Sequence, residues 1–153
     1  MKRAAIAKPA AFDADPSRSI GYLIRESSRL ILAQLQVLLA PHDVTLGQYF
    51  VLRELWRHEG LTQRELSERI AIQEQSTVAT IDAMEKRDLV LRVRSTQDRR
   101  KIHIHLTERG RGLREALLGY AAHVINGATA DFTPAELESL RSLLRKLREK
   151  LEP

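Results

Sequence analysis

Residues 61–106 read LTQRELSERIAIQEQSTVATIDAMEKRDLVLRVRSTQDRRKIHIHL, and the order of patterns within them decides the fold. Thr62-Gln63-Arg64-Glu65 is a capping box: the Thr62 hydroxyl and the Glu65 carboxylate satisfy backbone N–H groups that a helix start leaves free, and Leu61 can staple onto Leu66. The helix it opens is short, ending near Ile70-Ala71. After a turn at Ile72 a longer helix directs Val78, Ile81 and Met84 inward and leaves Gln75, Ser76, Ala79, Thr80 and Ala83 on the other side. The period then changes. Leu89 to Arg94 alternates as a strand, Ser95-Thr96-Gln97-Asp98 is a polar turn, and Lys101 to Leu106 alternates with Ile102, Ile104 and Leu106 on one face. A capped short helix, a helix with a polar outer face and a two-stranded hairpin predict a winged helix-turn-helix at residues 42–106.

Outward from this unit the pattern is helical. A helix is expected from Asp15-Pro16, where Asp suits the N-cap and Pro the first helical position, to Pro41. Ile20, Ile24, Ile31, Leu35 and Leu38 form one stripe, and Leu23, Leu30 and Val37 form a second. A helix with two apolar faces needs two partners. Thr45-Leu46-Gly47-Gln48 is another capping box, opening a helix that runs to about His58 before Gly60. Beyond the hairpin, Thr107 caps a return to helix with Leu113, Leu117, Tyr120 and Val124 on one stripe. Thr133-Pro134-Ala135-Glu136 then opens a last helix, in which Leu137, Leu140, Leu144, Leu147 and Leu151 make a leucine seam. The predicted class is mainly α with a small β-hairpin wing: a tail at 1–14, the winged unit, and a helical dimerisation region formed by 15–41 and 107–153. One domain of this size cannot bury both the seam and the second stripe, so an intertwined homodimer is expected.

With 153 residues, 29% charged and 43% hydrophobic, the chain has the balance of a globular domain with one core. No apolar run reaches the roughly 18 to 20 residues that span a bilayer, and Lys8-Pro9 interrupt the first apolar stretch too early for a signal peptide. A cytoplasmic protein without membrane partners is therefore expected. The absence of cysteine excludes disulfides, thiolate metal sites and thiol redox switches. No Gly-rich phosphate loop or serine nucleophile elbow is present, so neither catalysis nor a cofactor is expected.

The net charge of +5 is concentrated. From Lys86 to His105, seven cations (Lys86, Arg87, Arg92, Arg94, Arg99, Arg100, Lys101) stand against Asp88 and Asp98, which equals the whole excess. A duplex major groove admits one helix, and the second helix of a helix-turn-helix presents its N-terminal side chains to base edges. Gln73, Gln75, Ser76, Thr77 and Thr80 are the candidate readers. Arg94, Arg99, Arg100 and Lys101 are candidates for phosphates or an adjacent minor groove, with Asp98 holding a neighbouring Arg in one rotamer. A polar helix face or a cationic turn alone is ordinary solvated surface. Their contiguity with a capped helix selects double-stranded DNA as the partner, and two-fold symmetry selects a pseudo-palindromic operator.

The segment Leu66 to Thr107 resembles the MarR family of multiple antibiotic resistance regulators. The resemblance rests on Ile72, Ser76, Asp82, Met84-Glu85-Lys86-Arg87, Leu89-Val90, Leu106-Thr107 and most specifically Asp98-Arg99-Arg100, and the helical order extends it over roughly residues 17 to 151. It implies a homodimeric winged-helix repressor or activator whose first and last two helices form the interface, and in which Asp98 orients Arg100 for the minor groove. Two positions depart from the pattern: Ala79 replaces a basic residue often found in the reading helix, and Asp88 replaces a Gly before the first wing strand. Asp tolerates left-handed backbone better than most residues.

The resemblance also implies a repressor released by a small-molecule effector, an aromatic acid, phenol or aromatic acyl thioester. The lining residues it suggests are Arg25, Ser28, Arg29, Tyr49, Arg53, Trp56, Tyr120 and His123, each of which has an alternative role in core packing or surface ion pairs. Other readings are a winged-helix module that binds protein or RNA, and a metal-responsive regulator using His103 and His105, which share one face of a strand but lack a third ligand at metal-site spacing.

Overall fold

A computed structural model describes residues 19–70, 74–96, 98 and 100–152. The expected tail, the Asp15-Pro16 helix start, Gln73 and Arg99 lie outside those residues. Helix α1 (Ile20–Leu39) begins at Ser19, whose Oγ accepts from the Tyr22 N–H at 3.3 Å. Only its C-terminal end is buried, through Leu35 and Leu39, whereas Ile20, Leu23, Ile24, Leu30 and Val37 are exposed. A 3-10 turn at Ala40–His42 holds Pro41 and ends on Asp43, which takes left-handed backbone with φ 54°.

Helix α2 (Leu46–Arg57) carries the expected capping box: Thr45 Oγ1 accepts from Gln48 N–H at 3.2 Å, and Gln48 Oε1 accepts from Thr45 N–H at 3.1 Å. It is the central helix, burying Tyr49, Val51, Leu52 and Leu55. The box at Thr62 and Glu65 likewise forms at the start of α3 (Gln63–Ile70), with Leu61 and Leu66 both buried. Helix α4 (Glu74–Lys86) leads through Asp88, at φ 55°, into the wing. The left-handed conformation that a glycine would adopt easily is thus carried by aspartate.

The wing strands are β2 (Val90–Arg94) and β3 (Ile102–Leu106), paired antiparallel from Val90 opposite Leu106 to Arg94 opposite Ile102. A third strand, β1 (Leu61–Thr62), pairs with the other edge of β3, so the sheet order is β1-β3-β2 rather than a lone hairpin. Two residues are too few to show alternation, which is why this strand was not expected. The stripe after Thr107 is also two helices, α5 (Glu108–Gly112) and α6 (Arg114–Ala128), parted at Leu113 just after Gly112. Leu117 and Val124 of α6 join Leu35, Leu39, Leu52, Ile81, Met84, Leu89 and Ile104 in one core cluster.

Helix α7 (Pro134–Leu151) has its capping box and proline start, yet buries no residue. Leu140, Leu143, Leu144, Leu147 and Leu151 are all exposed in the single chain, as is Phe132 just before it. Among the described residues no single helix is long and apolar enough to cross a membrane.

Candidate nucleic-acid interface

The first turns of α4 present Gln75 and Ser76 to solvent. Thr80, one turn on, is half-buried and donates its hydroxyl to the Ser76 carbonyl at 2.9 Å, leaving its oxygen free only as an acceptor. Thr77 does not belong with them. It is 1% exposed and faces the core with Ile81 and Met84, a spacing of four and then three, while Val78 is only half-buried. Ile81 and Met84 face inward as expected, Thr77 takes the inward place expected of Val78, and Thr77 leaves the reading set because its side chain has no route to a groove.

At the wing tip Asp98 is half-buried and organises the turn. Its backbone N–H donates to Ser95 Oγ at 3.2 Å, its carbonyl accepts from Lys101 N–H at 2.9 Å, and its Oδ1 accepts from the Arg100 N–H at 3.0 Å and from Arg100 Nε at 3.3 Å. The Arg100 backbone bond, followed by its side chain, lowers the Asp98 pKa below the ordinary aspartate value, so the carboxylate stays ionised. The Arg100 side chain itself is 92% exposed. Arg94 and Lys101 are exposed beside it.

Among the described residues, two of these cations, Arg87 and Arg92, are engaged inside the protein. Arg87 donates to the carbonyls of Asp43 and, at 3.1 Å, His42, and to Gln48 Oε1 at 3.2 Å, tying the end of α4 to the turn between α1 and α2. Arg92 is held by Asp82 and Glu85. The positive charge left for a polyanion is consequently concentrated at the tip.

The model of the MarR family matches residues 44–102. Two curated relatives extend the likeness. The transcriptional regulator TtmR of Methylorubrum extorquens is 34% identical over 112 residues, covering 72% of this chain but only 57% of its own length. The organic hydroperoxide resistance transcriptional regulator of Bacillus subtilis is 31% identical over 130 residues, covering 85% of this chain and 87% of its own. The chain belongs to the MarR family. Among solved structures, a MarR transcriptional regulator from Methanosarcina mazei superposes with TM-score 0.78 at 26% identity, covering 86% of this chain and 96% of that one. BpsR of Bordetella bronchiseptica, whose DNA binding is regulated by 6-hydroxynicotinic acid, gives TM-score 0.77 at 26% identity, covering 86% and 94%.

As a MarR-family member this protein is a winged-helix transcription regulator and not an enzyme. The residues expected around an effector are scattered in the single chain. Tyr49 is 2% exposed and part of the core, where burial raises its pKa above the ordinary tyrosine value. Tyr120 is half-buried and bonds His42 Nε2 at 3.0 Å. Arg25 lies over the Tyr22 ring, Arg53 lies over Phe50, and Arg29 pairs with Glu26. Ser28 and His123 are exposed. Trp56 donates Nε1–H to the Gly110 carbonyl at 3.0 Å and lines an open cleft of about 370 Å³ with Leu55, Arg57, Glu59, Leu106, Arg111 and Arg114.

The two wing histidines have separate partners. His103 donates Nδ1–H to the Gly60 carbonyl at 2.8 Å, and His105 faces Glu59 at 3.6 Å. Among the described residues no group of three or more His, Asp or Glu side chains is arranged to hold a metal ion. The residue that sequence reasoning missed is Arg92. Its signal was Asp82 and Glu85, two carboxylates three apart on one face of the preceding helix, within reach of a strand arginine.

Proposed function

We propose that this MarR-family regulator works as a homodimer that reads a pseudo-palindromic duplex. Gln75, Ser76 and Thr80 meet base edges in the major groove, while Arg94, Arg100 and Lys101 engage phosphates and the neighbouring minor groove. Arg99, adjacent in sequence, adds to the same charge. The observation that carries this reading is the Arg100 side chain, almost fully in water yet held by its Nε to Asp98 Oδ1, the same oxygen that accepts the Arg100 backbone N–H. An arginine oriented in this way loses less rotamer entropy on binding than a free one. Pairing of two copies is supported by the exposed leucines of α7 together with Leu23, Leu30 and Val37 of α1, apolar side chains on two helices that a second copy would cover.

The action is that of a repressor released by a small aromatic acid, a phenol or an aromatic acyl thioester; control of BpsR's DNA binding by 6-hydroxynicotinic acid supports the first of these. The exposed members of the expected effector set, Arg25, Ser28, Arg29, Arg53 and His123, complete a site only with a second copy, while Trp56 and Tyr120 contribute from the packed side. Ligand control then requires the effector to favour a dimer whose reading helices are wrongly spaced. Selection of binding sites from a random duplex library, followed by titration against single strands and structured RNA, tests the reading. It requires an inverted-repeat site and a strong duplex preference. Equal affinity for RNA or single strands would overturn it.

A further inference from the structure

The wing and α4 are joined by more than the turn between them. Arg92, at the centre of β2, sends Nη2 to Asp82 Oδ1 and Nη1 to Glu85 Oε2, each at 2.5 Å, and its backbone N–H donates to Glu85 Oε1 at 3.3 Å. Both arms of a planar fork are thus taken by acceptors three residues apart on one face of the helix, an arrangement a lysine cannot reproduce. The Arg92 side chain is only 23% exposed. Partial burial opposes its charge, but the bonds to Asp82 and Glu85 outweigh that, and its pKa lies above the ordinary arginine value.

The placement of this strut matters. Helix and strand diverge from a pivot at Asp88-Leu89, where Leu89 is fully buried and Asp88 is left-handed. Arg92 crosses the angle beyond that pivot. At a rise of about 3.3 Å per residue the tip lies roughly 20 Å from the pivot, so each 10° of hinge freedom moves the tip by about 3.5 Å, more than a hydrogen-bond length. Binding sites need their groups held much more closely than this. There is also an electrostatic oddity. Asp82 and Glu85 are anions on the reading helix of a head that grips a polyanion, where they oppose binding unless they serve another purpose.

We propose that Arg92 is a positioning residue for operator reading, a strut through Asp82 and Glu85 that fixes the angle between wing and reading helix so that both reach adjacent grooves in one register. This rests on the proposed duplex interface.

The test uses the full chain, a duplex selected by the wild-type protein from a random library, and a duplex of unrelated sequence. The double variant Asp82→Asn with Glu85→Gln removes two negative charges at positions that are half in water, and its fold is checked by circular dichroism. Simple electrostatics predicts tighter binding to both duplexes. The strut predicts on the order of tenfold weaker binding to the selected duplex, with the unrelated duplex bound as well as before or better. It also predicts faster hydrogen exchange at the wing amides. Arg92→Lys keeps the charge and breaks the fork, and must show the same selective loss. Undiminished affinity for the selected duplex, or equal weakening of both duplexes, overturns the strut. Arg100→Ala separates the two levels: if it too leaves binding unchanged the interface itself is wrong, whereas if it weakens binding and the double variant does not, only the strut fails.

Discussion

Gly110→Ala is the most informative single methyl group that can be added to this fold. Gly110 is buried in α5, and a Cβ built on it overlaps the Leu89 carbonyl oxygen and lies 3.2 Å from Leu106 Cδ2. The obstacle is backbone, and that backbone is held in place, since the Leu89 carbonyl already accepts the Thr107 N–H at 3.2 Å. Helix α5 must therefore move away from the base of the wing. Overpacking of this kind costs about 1–3 kcal/mol. The shift also pulls the Gly110 carbonyl from Trp56 Nε1–H, adding about 1 kcal/mol. For a chain of this length a total of about 2–4 kcal/mol lowers the melting midpoint by about 5–15 °C. The assay is thermal unfolding at fixed protomer concentration, because a dimer's midpoint depends on it. Trp56 is the single tryptophan, so its emission reports the local change directly. A midpoint within about 1 °C of wild type, with unchanged emission, would refute the claim that this glycine is required by close approach.

Other expectations follow from the same geometry. Asp88→Gly should raise stability slightly by relieving left-handed strain, and Asp88→Val should lower it by about 1–2 kcal/mol in denaturant titration; equal midpoints would contradict the assignment of strain. Leu140→Glu with Leu144→Glu should convert dimers to monomers or unfolded chain in sedimentation experiments, and an intact dimer would show that the seam lies elsewhere. Arg100→Ala should weaken all duplexes and flatten the salt dependence of binding, whereas an unaltered log-log slope would remove Arg100 from the phosphate contacts. Glu65 and Glu136 have pKa values lowered by backbone and then side-chain bonds from Thr62 and Thr133. Their folded-state pKa lies below the unfolded one, so this stability is present above the usual glutamate value of 4.5 and is lost as pH falls through the lowered values. Thr133→Val should remove part of that acid dependence, and an identical pH profile would count against the box.

What the sequence made legible was local. The three capping boxes rest on chemistry between residues three apart, which needs no knowledge of the rest of the fold, and all three form. The strict alternation of β3 placed Ile102, Ile104 and Leu106 on one face because a strand has only two, and of these Ile104 and Leu106 are buried while Ile102, at the tip end, is exposed. Helix phase was harder to read. Thr77 and Val78 have nearly the same shape, and the more apolar one was expected inward where Thr77 is buried, although Ile81 and Met84 face the core as expected. Pairing beyond the β2–β3 hairpin was not legible. Strand β1 exists because Leu61 and Thr62 meet Ile104 and His103 across the chain. Arg87 and Arg92 counted as footprint charge in the sequence, and only the fold shows that they bind carbonyls and carboxylates instead. Of the expected effector residues Tyr49 takes its alternative role, buried in the core.

The proposed dimer sets two reading heads a fixed distance apart on one face of a duplex. Hydroxyl-radical footprinting of the chain on its selected duplex tests this most directly. It should give two equivalent protected patches related by a two-fold axis, with half-site centres about one helical turn, roughly 10 base pairs, apart. A single patch without symmetry, or protection that does not depend on sequence, would contradict it.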